Sequence, residues 1–150
     1  MNGLLSGALA GAAGTAALNA VTYADMALRG RSGSQVPEQM VEKTTERAGV
    51  SLGDEETAGN RRQALGALLG FGVGVGVGVA YGLLRSRART LPDALALGAA
   101  ASVVSEGPAV AMGLTDPREW GTAGWISDVV PHLAYGVVTA AAYRRLSARR

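Results

Sequence analysis

The chain has 150 residues, with 14 Lys and Arg against 12 Asp and Glu, a single His and no Cys. One domain is expected at that length; the missing cysteines exclude disulfides and thiolate chemistry, and one imidazole excludes a multi-histidine metal centre within a single chain. No aromatic side chains interleave with the basic ones as in nucleic-acid binders, so nucleic acid is not expected as a partner. The arginines gather at segment ends, where the headgroups of a lipid bilayer are the natural counterpart.

Charge is blocked along the chain. Residues 1–24 carry none, and neither do residues 63–84. A soluble bundle would show charged faces at helical period along each helix, so the pattern indicates an integral membrane protein. The first apolar segment, residues 4–28, has Gly3, Gly7 and Gly11 at four-residue spacing, then Thr15, Asn19 and Thr22 on one face and Tyr23 and Asp25 nearer its exit. Residues 1–6 hold no Lys or Arg to form a signal-peptide n-region, so the segment reads as a retained span.

Residues 29–62 form the one sizeable polar connection. Arg29-Gly-Arg-Ser-Gly-Ser opens it as a flexible link. A short helix follows, with Pro37 suited to a first helical position and Gly49 to a stop. Its apolar side, Met40, Val41, Thr44 and Ala48, would suit the membrane surface, although an ordinary solvated hairpin connection is the favoured reading. Asp54-Glu55-Glu56 lacks the spacing of a calcium loop and reads as solvated charge.

The second segment, residues 63–84, is the centre of the sequence. As a helix it would span roughly 33 Å, against a hydrocarbon core of about 30 Å. Gly66, Gly70, Gly74, Gly78 and Gly82 recur at every fourth position, a glycine zipper onto which a neighbouring backbone can close, with Gly72 and Gly76 on the far side. The Val-Gly alternation also fits a strand. Glycine weakens strand interiors, however, and a lone strand in lipid leaves its backbone groups unpaired, so the helix is expected. These glycines all occupy even positions and no GK[ST] follows, which excludes a phosphate loop.

Arg85, Arg87 and Arg89 make a basic link to the third segment, residues 91–114. Glu106-Gly107-Pro108 interrupts that segment at a depth where a glutamate is costly, and a kink is predicted there. Asp116-Pro117-Arg118-Glu119 reads as a capped turn, with Trp120 and Trp125 as anchors at the membrane interface. Ser127-Asp128 is read as the cap of the fourth segment, residues 127–146, with Pro131 in its first turn and His132, Tyr135, Gly136, Thr139 and Tyr143 along an inward side. Arg144, Arg145, Arg149 and Arg150 close the chain. Together with the link at residues 85–89 they place both termini in the cytoplasm by the positive-inside rule, while Arg29, Arg31, Lys43, Arg47, Arg61 and Arg62 argue the other way.

The expected fold is therefore all-α, an integral membrane four-helix bundle with a glycine-zipper second helix and short interfacial helices in its connections. Counted from the segment ends, Asn19 lies about 13 Å deep, Glu106 about 12 Å and His132 about 8 Å, all from one face. An intramembrane polar cluster of Asn19, Tyr23, Glu106, His132 and Tyr135 follows, in which Glu106 and His132 pair, either as a structural lock or as a proton relay. No HExxH, GxSxG or Ser-His-acid constellation is visible, so neither catalysis nor a cofactor is expected. The leading expectation is a packing, scaffold or assembly role, with a homo-oligomer or another membrane protein engaging the small-residue faces. The alternative is a proton- or ion-responsive membrane protein using the Glu-His pair.

Met112-Gly-Leu-Thr-x-Pro117, a tryptophan-bearing connection and Ser127-Asp128-x-x-x-His132-Leu133 resemble the YagU-type family of small bacterial inner-membrane proteins, and the Ala, Gly and Arg richness looks actinobacterial. The likeness covers mainly the last third of the chain, with a weaker echo in the first segment. It implies a multi-pass protein of the bacterial cytoplasmic membrane with no established activity. The shorter first connection and the glycine-rich second segment depart from the family pattern.

Overall fold

The structure, a computed structural model, describes residues 2–84 and 90–148, Thr90 by its backbone alone. Among these residues every regular element is helical: α1 (Gly3–Arg29), α2 (Val36–Arg47), α3 (Glu55–Leu84), α4 (Thr90–Ala111), a 3-10 turn (Pro117–Glu119) and α5 (Gly121–Ser147). Arg85, Arg87, Arg89, Arg149 and Arg150 of the expected basic clusters lie outside the described residues. Gly3–Arg29, Glu55–Leu84 and Leu91–Ala111 are long and apolar enough to cross a membrane. α5 has comparable length but carries Ser127, Asp128, His132, Thr139, Arg144 and Arg145, and it is not among the three.

Local chemistry fixes the helix ends. Asn2 caps α1 by accepting the Leu5 N–H at 2.9 Å, and Gly30 ends it at φ 63°. α2 has Pro37 in its first turn and stops at Gly49, φ 65°, where the Val50 N–H returns to the Thr45 carbonyl at 2.9 Å. Asp54 is more than solvated charge. Its Oδ1 accepts the Thr57 N–H at 2.9 Å and so caps α3, which starts eight residues before the expected position 63. α4 continues as helix through Gly107-Pro108 and ends at Ala111, three residues after the proline.

α5 begins six residues before the expected position 127. Ser127 and Asp128 are therefore interior residues, not caps, and the Ser127 hydroxyl bonds back to the Ala123 carbonyl at 3.0 Å. Pro131 likewise stands inside the helix.

α1 packs against α3 and α5, α4 against α5 and more lightly against α3, and α2 lies along α3. The α1–α3 contact is backbone on backbone. A Cβ at Gly78 would stand 2.5 Å from the Gly7 carbonyl oxygen and 2.6 Å from Gly11 Cα, one at Gly11 would stand 2.6 Å from the Gly74 carbonyl oxygen, and one at Gly82 would meet the Gly3 carbonyl. The expected groove is thereby divided. Gly74, Gly78 and Gly82 face α1, Gly66 faces Pro37 of α2, and Gly70 has nothing within 4 Å. A four-residue repeat advances about 40° per step on a 3.6-residue helix, so five glycines cannot all face one straight neighbour.

The ends of the helices sort into two faces. Gly3, Gly82, Asp93 and Tyr143 meet at one, where the Tyr143 hydroxyl donates to the Gly82 carbonyl at 3.2 Å and the Tyr81 hydroxyl to Asp93 at 2.8 Å. At the other, Arg29 and Arg31 both bond the Asp25 carboxylate at 2.6 Å, Arg29 also bonds Ser127, and Lys43 reaches the Met112 carbonyl at 2.5 Å. α2 is thus no loose hairpin strap. Val41 is buried against its neighbours, and Arg62 of α3 bonds Glu42 at 2.9 Å.

Candidate functional site: the polar seam between α4 and α5

Small residues let α4 and α5 meet closely. A Cβ at Gly98 would stand 2.7 Å from the His132 carbonyl oxygen, and one at Gly136 would meet the Ala94 carbonyl. That proximity brings the side chains of the next turns together. On α5, Asp128 and His132 are four residues apart and share a face. His132 Nδ1 lies 3.0 Å from Asp128 Oδ1 and 2.8 Å from the Asp128 carbonyl oxygen.

Both neighbours of Nδ1 are acceptors, which assigns the ring proton to Nδ1 and leaves the Nε2 lone pair directed at α4. There Ser105 Oγ stands 3.4 Å away. Ser102, one turn earlier, donates to the second Asp128 oxygen at 3.0 Å, so the carboxylate is held from both helices. The Ser105 hydroxyl donates back along its own helix, to the Ala101 carbonyl at 2.9 Å and the Ser102 carbonyl at 3.1 Å. The His132 and Asp128 side chains are only 13% and 11% exposed, so the pair is largely closed off.

The expected partner of His132 is corrected by this geometry. Asp128 makes the ion pair, because one helical turn on the same helix fixes the separation with no dependence on how α4 is rotated. Glu106 is half-buried beside Ser105 and makes no hydrogen bond or ion pair among the described residues, although its charge is within electrostatic reach of Asp128 and His132.

The other expected members disperse. Tyr23 is 65% exposed and turned away from the helix contacts, because Asp25, two residues on, is the side chain that faces Ser127. Asn19 is half-buried, and no hydrogen bond among the described residues joins it to the seam. Tyr135 is fully buried but points to α3, donating to the Gly74 carbonyl at 2.7 Å. Trp120 and Trp125 pack on each other with ring centres 5.1 Å apart, and the Trp120 N–H bonds Thr115 at 2.7 Å. Sequence reasoning missed Asp128, Ser102 and Ser105; the Asp-x-x-x-His spacing on one helix was the available signal.

A second feature lies between α4 and its other neighbours. An apolar groove of about 990 Å³ runs between α2, α3 and α4, lined by Leu68, Gly72, Gly76, Val104 and Pro108 among others. It exists because Gly72 and Gly76 offer no side chain and nothing stands within 4 Å of where one would project. No group of three or more His, Asp or Glu residues among those described is arranged to hold a metal ion. Compared with family models, curated proteins and solved structures, the chain matches none.

Proposed function

We propose that this is a small multi-span membrane protein, a four-helix bundle tied by a glycine zipper between α1 and α3, whose α4–α5 seam responds to protons. The observation that carries the reading is the Asp128–His132 pair of α5, which Ser102 and Ser105 of α4 meet where the two helices come close. Adding or removing a proton there changes the charge of the groups that hold α4 to α5, in surroundings where charge is expensive. The α1–α3 contact serves as the rigid frame.

The test uses the protein reconstituted in lipid vesicles, with spin labels at the exposed positions Val103 and Val129. The distance between them is followed from pH 5 to 8. A change that follows a single titration and is absent in His132→Gln supports the reading. A distance that stays constant while the protein remains folded refutes it.

A packing or assembly role is the second reading, and the open Gly72–Gly76 face favours it. A small-xxx-small pair with no neighbour is a surface on which a second helix can close. Gly76→Leu, whose Cβ would meet nothing within 4 Å in the chain, should then abolish intermolecular cross-linking in membranes.

Location in the bacterial inner membrane, with both termini cytoplasmic, belongs to the same proposal. It is supported by the shared face of Gly3, Gly82, Asp93 and Tyr143, which puts Arg144 and Arg145 beside the amino terminus. Membership of the YagU-type family rests on the resemblance at residues 112–117 and 127–133.

A further inference from the structure

We propose that Ser105 is a nucleophile activated by His132 and Asp128, forming an acyl-transfer centre that takes a lipid ester as substrate. Three features of the seam carry this. Nδ1 of His132 is committed to Asp128, so Nε2 is the free base and stands 3.4 Å from Ser105 Oγ, whose proton turns from the Ala101 and Ser102 carbonyls to the imidazole when substrate draws the pair together. The orienting carboxylate is fixed on its far side by Ser102 at 3.0 Å, which prevents it from turning away from the ring. Ser105 itself is only part-buried, so its hydroxyl can be reached although the imidazole and the carboxylate behind it are closed off.

The substrate class follows from the surroundings. Val129, one turn before His132 on α5, is an exposed apolar side chain and Ser105 is only part-buried, so a molecule that reaches Ser105 past Val129 brings a hydrocarbon chain with it. Ser105 lies about 9 Å before the end of α4, and His132 about 10 Å beyond Trp125, one to two turns beneath the interface that the tryptophans mark. Ester carbonyls of glycerolipids occupy that zone.

In the reaction, Ser105 Oγ forms a bond to the acyl carbon while its proton passes to His132 Nε2. The ester C–O bond then breaks, and the departing alkoxide takes the proton from Nε2 and leaves as an alcohol. Water reverses the sequence: its oxygen adds to the acyl-serine, its proton goes to Nε2 and then to Ser105 Oγ, and a carboxylic acid is released. No oxidant or further reactant is needed. The inference uses the same imidazole as the proton-responsive reading but does not depend on it.

The experiment treats the full chain in vesicles with a long-chain alkyl fluorophosphonate and maps the adduct by mass spectrometry. The expected result is modification at Ser105, lost in Ser105→Ala and slowed roughly 100-fold or more in His132→Gln. No adduct on Ser105 in protein whose helical circular dichroism is intact overturns the proposal, as does an adduct formed equally fast in His132→Gln. Ser105→Cys and Ser102→Cys give a readout that keeps the histidine. Beside Nε2 the thiol at position 105 should be alkylated by a membrane-permeant iodoacetamide at least about 10-fold faster than the one at 102, and equal rates overturn the assignment. Should these fail while the α4–α5 distance still changes with pH, the nucleophile is refuted and the proton-responsive reading stands.

Discussion

Gly76 and Gly78 lie two residues apart on α3, and the structure assigns opposite consequences to adding one methyl group at each. At Gly78 the new Cβ would stand 2.5 Å from the Gly7 carbonyl oxygen, 2.6 Å from Gly11 Cα and 2.8 Å from Gly11 N. Every one of these is a backbone atom, so no side chain can rotate away. Ordinary contact begins at 3.4 Å, and α1 and α3 must therefore part by about 0.9 Å. A gap of that size forfeits roughly a quarter to a half of the dispersion energy along the contact, and overpacking of this kind costs about 1–3 kcal/mol. At Gly76 nothing lies within 4 Å. There only the gain in helix propensity acts, at most about 1 kcal/mol. Both variants share that gain, so their difference isolates the helix contact: Gly78→Ala should be less stable than Gly76→Ala by about 1–3 kcal/mol. Reversible unfolding in mixed micelles with increasing dodecyl sulfate, followed by circular dichroism, measures it. Two variants within about 0.5 kcal/mol of each other would refute the α1–α3 backbone contact, since surface substitutions without a contact fall within that range.

Tyr135→Phe leaves the Gly74 carbonyl without its side-chain donor and should cost about 0.6–2 kcal/mol in the same unfolding assay, the range for interhelical hydrogen bonds in lipid. A double-mutant cycle between Asp128→Asn and His132→Gln should show coupling of about 1–3 kcal/mol, against less than about 0.5 kcal/mol for Glu106→Gln with His132→Gln; the reverse order would restore Glu106 as the partner. The Thr57 backbone N–H, helped by its hydroxyl, holds the Asp54 carboxylate below its ordinary value. A depressed value means that the cap is fully present above the unfolded value of 3.8 and is lost as pH falls below it. Hydrogen exchange should show the Thr57 amide losing protection in acid, and Asp54→Ala should show the same loss at neutral pH.

The fold was legible wherever one periodicity dominated. A glycine at every fourth residue in an uncharged stretch leaves a helix as the only backbone that can satisfy itself in lipid, and α3 is that helix. It starts eight residues before the expected position 63, since charge ends an apolar segment without ending a helix. Glu55, Glu56, Arg61 and Arg62 are good helix residues, and the Asp54 cap with Gly53 before it at φ 102° decides the boundary. α5 also starts earlier than expected. Ser-Asp is a frequent cap, yet Gly121 at φ 60° had already turned the chain, and Ser127 bonds its own helix instead. Local composition indicated the existence of the long helices. Their ends depended on single residues whose alternative roles look alike in sequence.

The polar seam shows a different limit. Counting residues from the segment ends located Glu106 and His132 at a common depth, because rise along a helix axis is the one coordinate that sequence supplies directly. Partnership needs the azimuth as well, and the rotation of α4 against α5 is set by where small residues permit the closest approach, here Gly98 opposite the His132 carbonyl and Gly136 opposite the Ala94 carbonyl. With those two contacts in place, Ser102 and Ser105 turn towards Asp128 and His132, and Glu106, 100° further round the helix from Ser105, is carried past the imidazole. A pair within one helix escapes this uncertainty entirely. Asp128 and His132 meet at any rotation of their neighbours, so the i,i+4 spacing of two ionisable residues in a span should outrank depth matching between helices when a buried pair is sought.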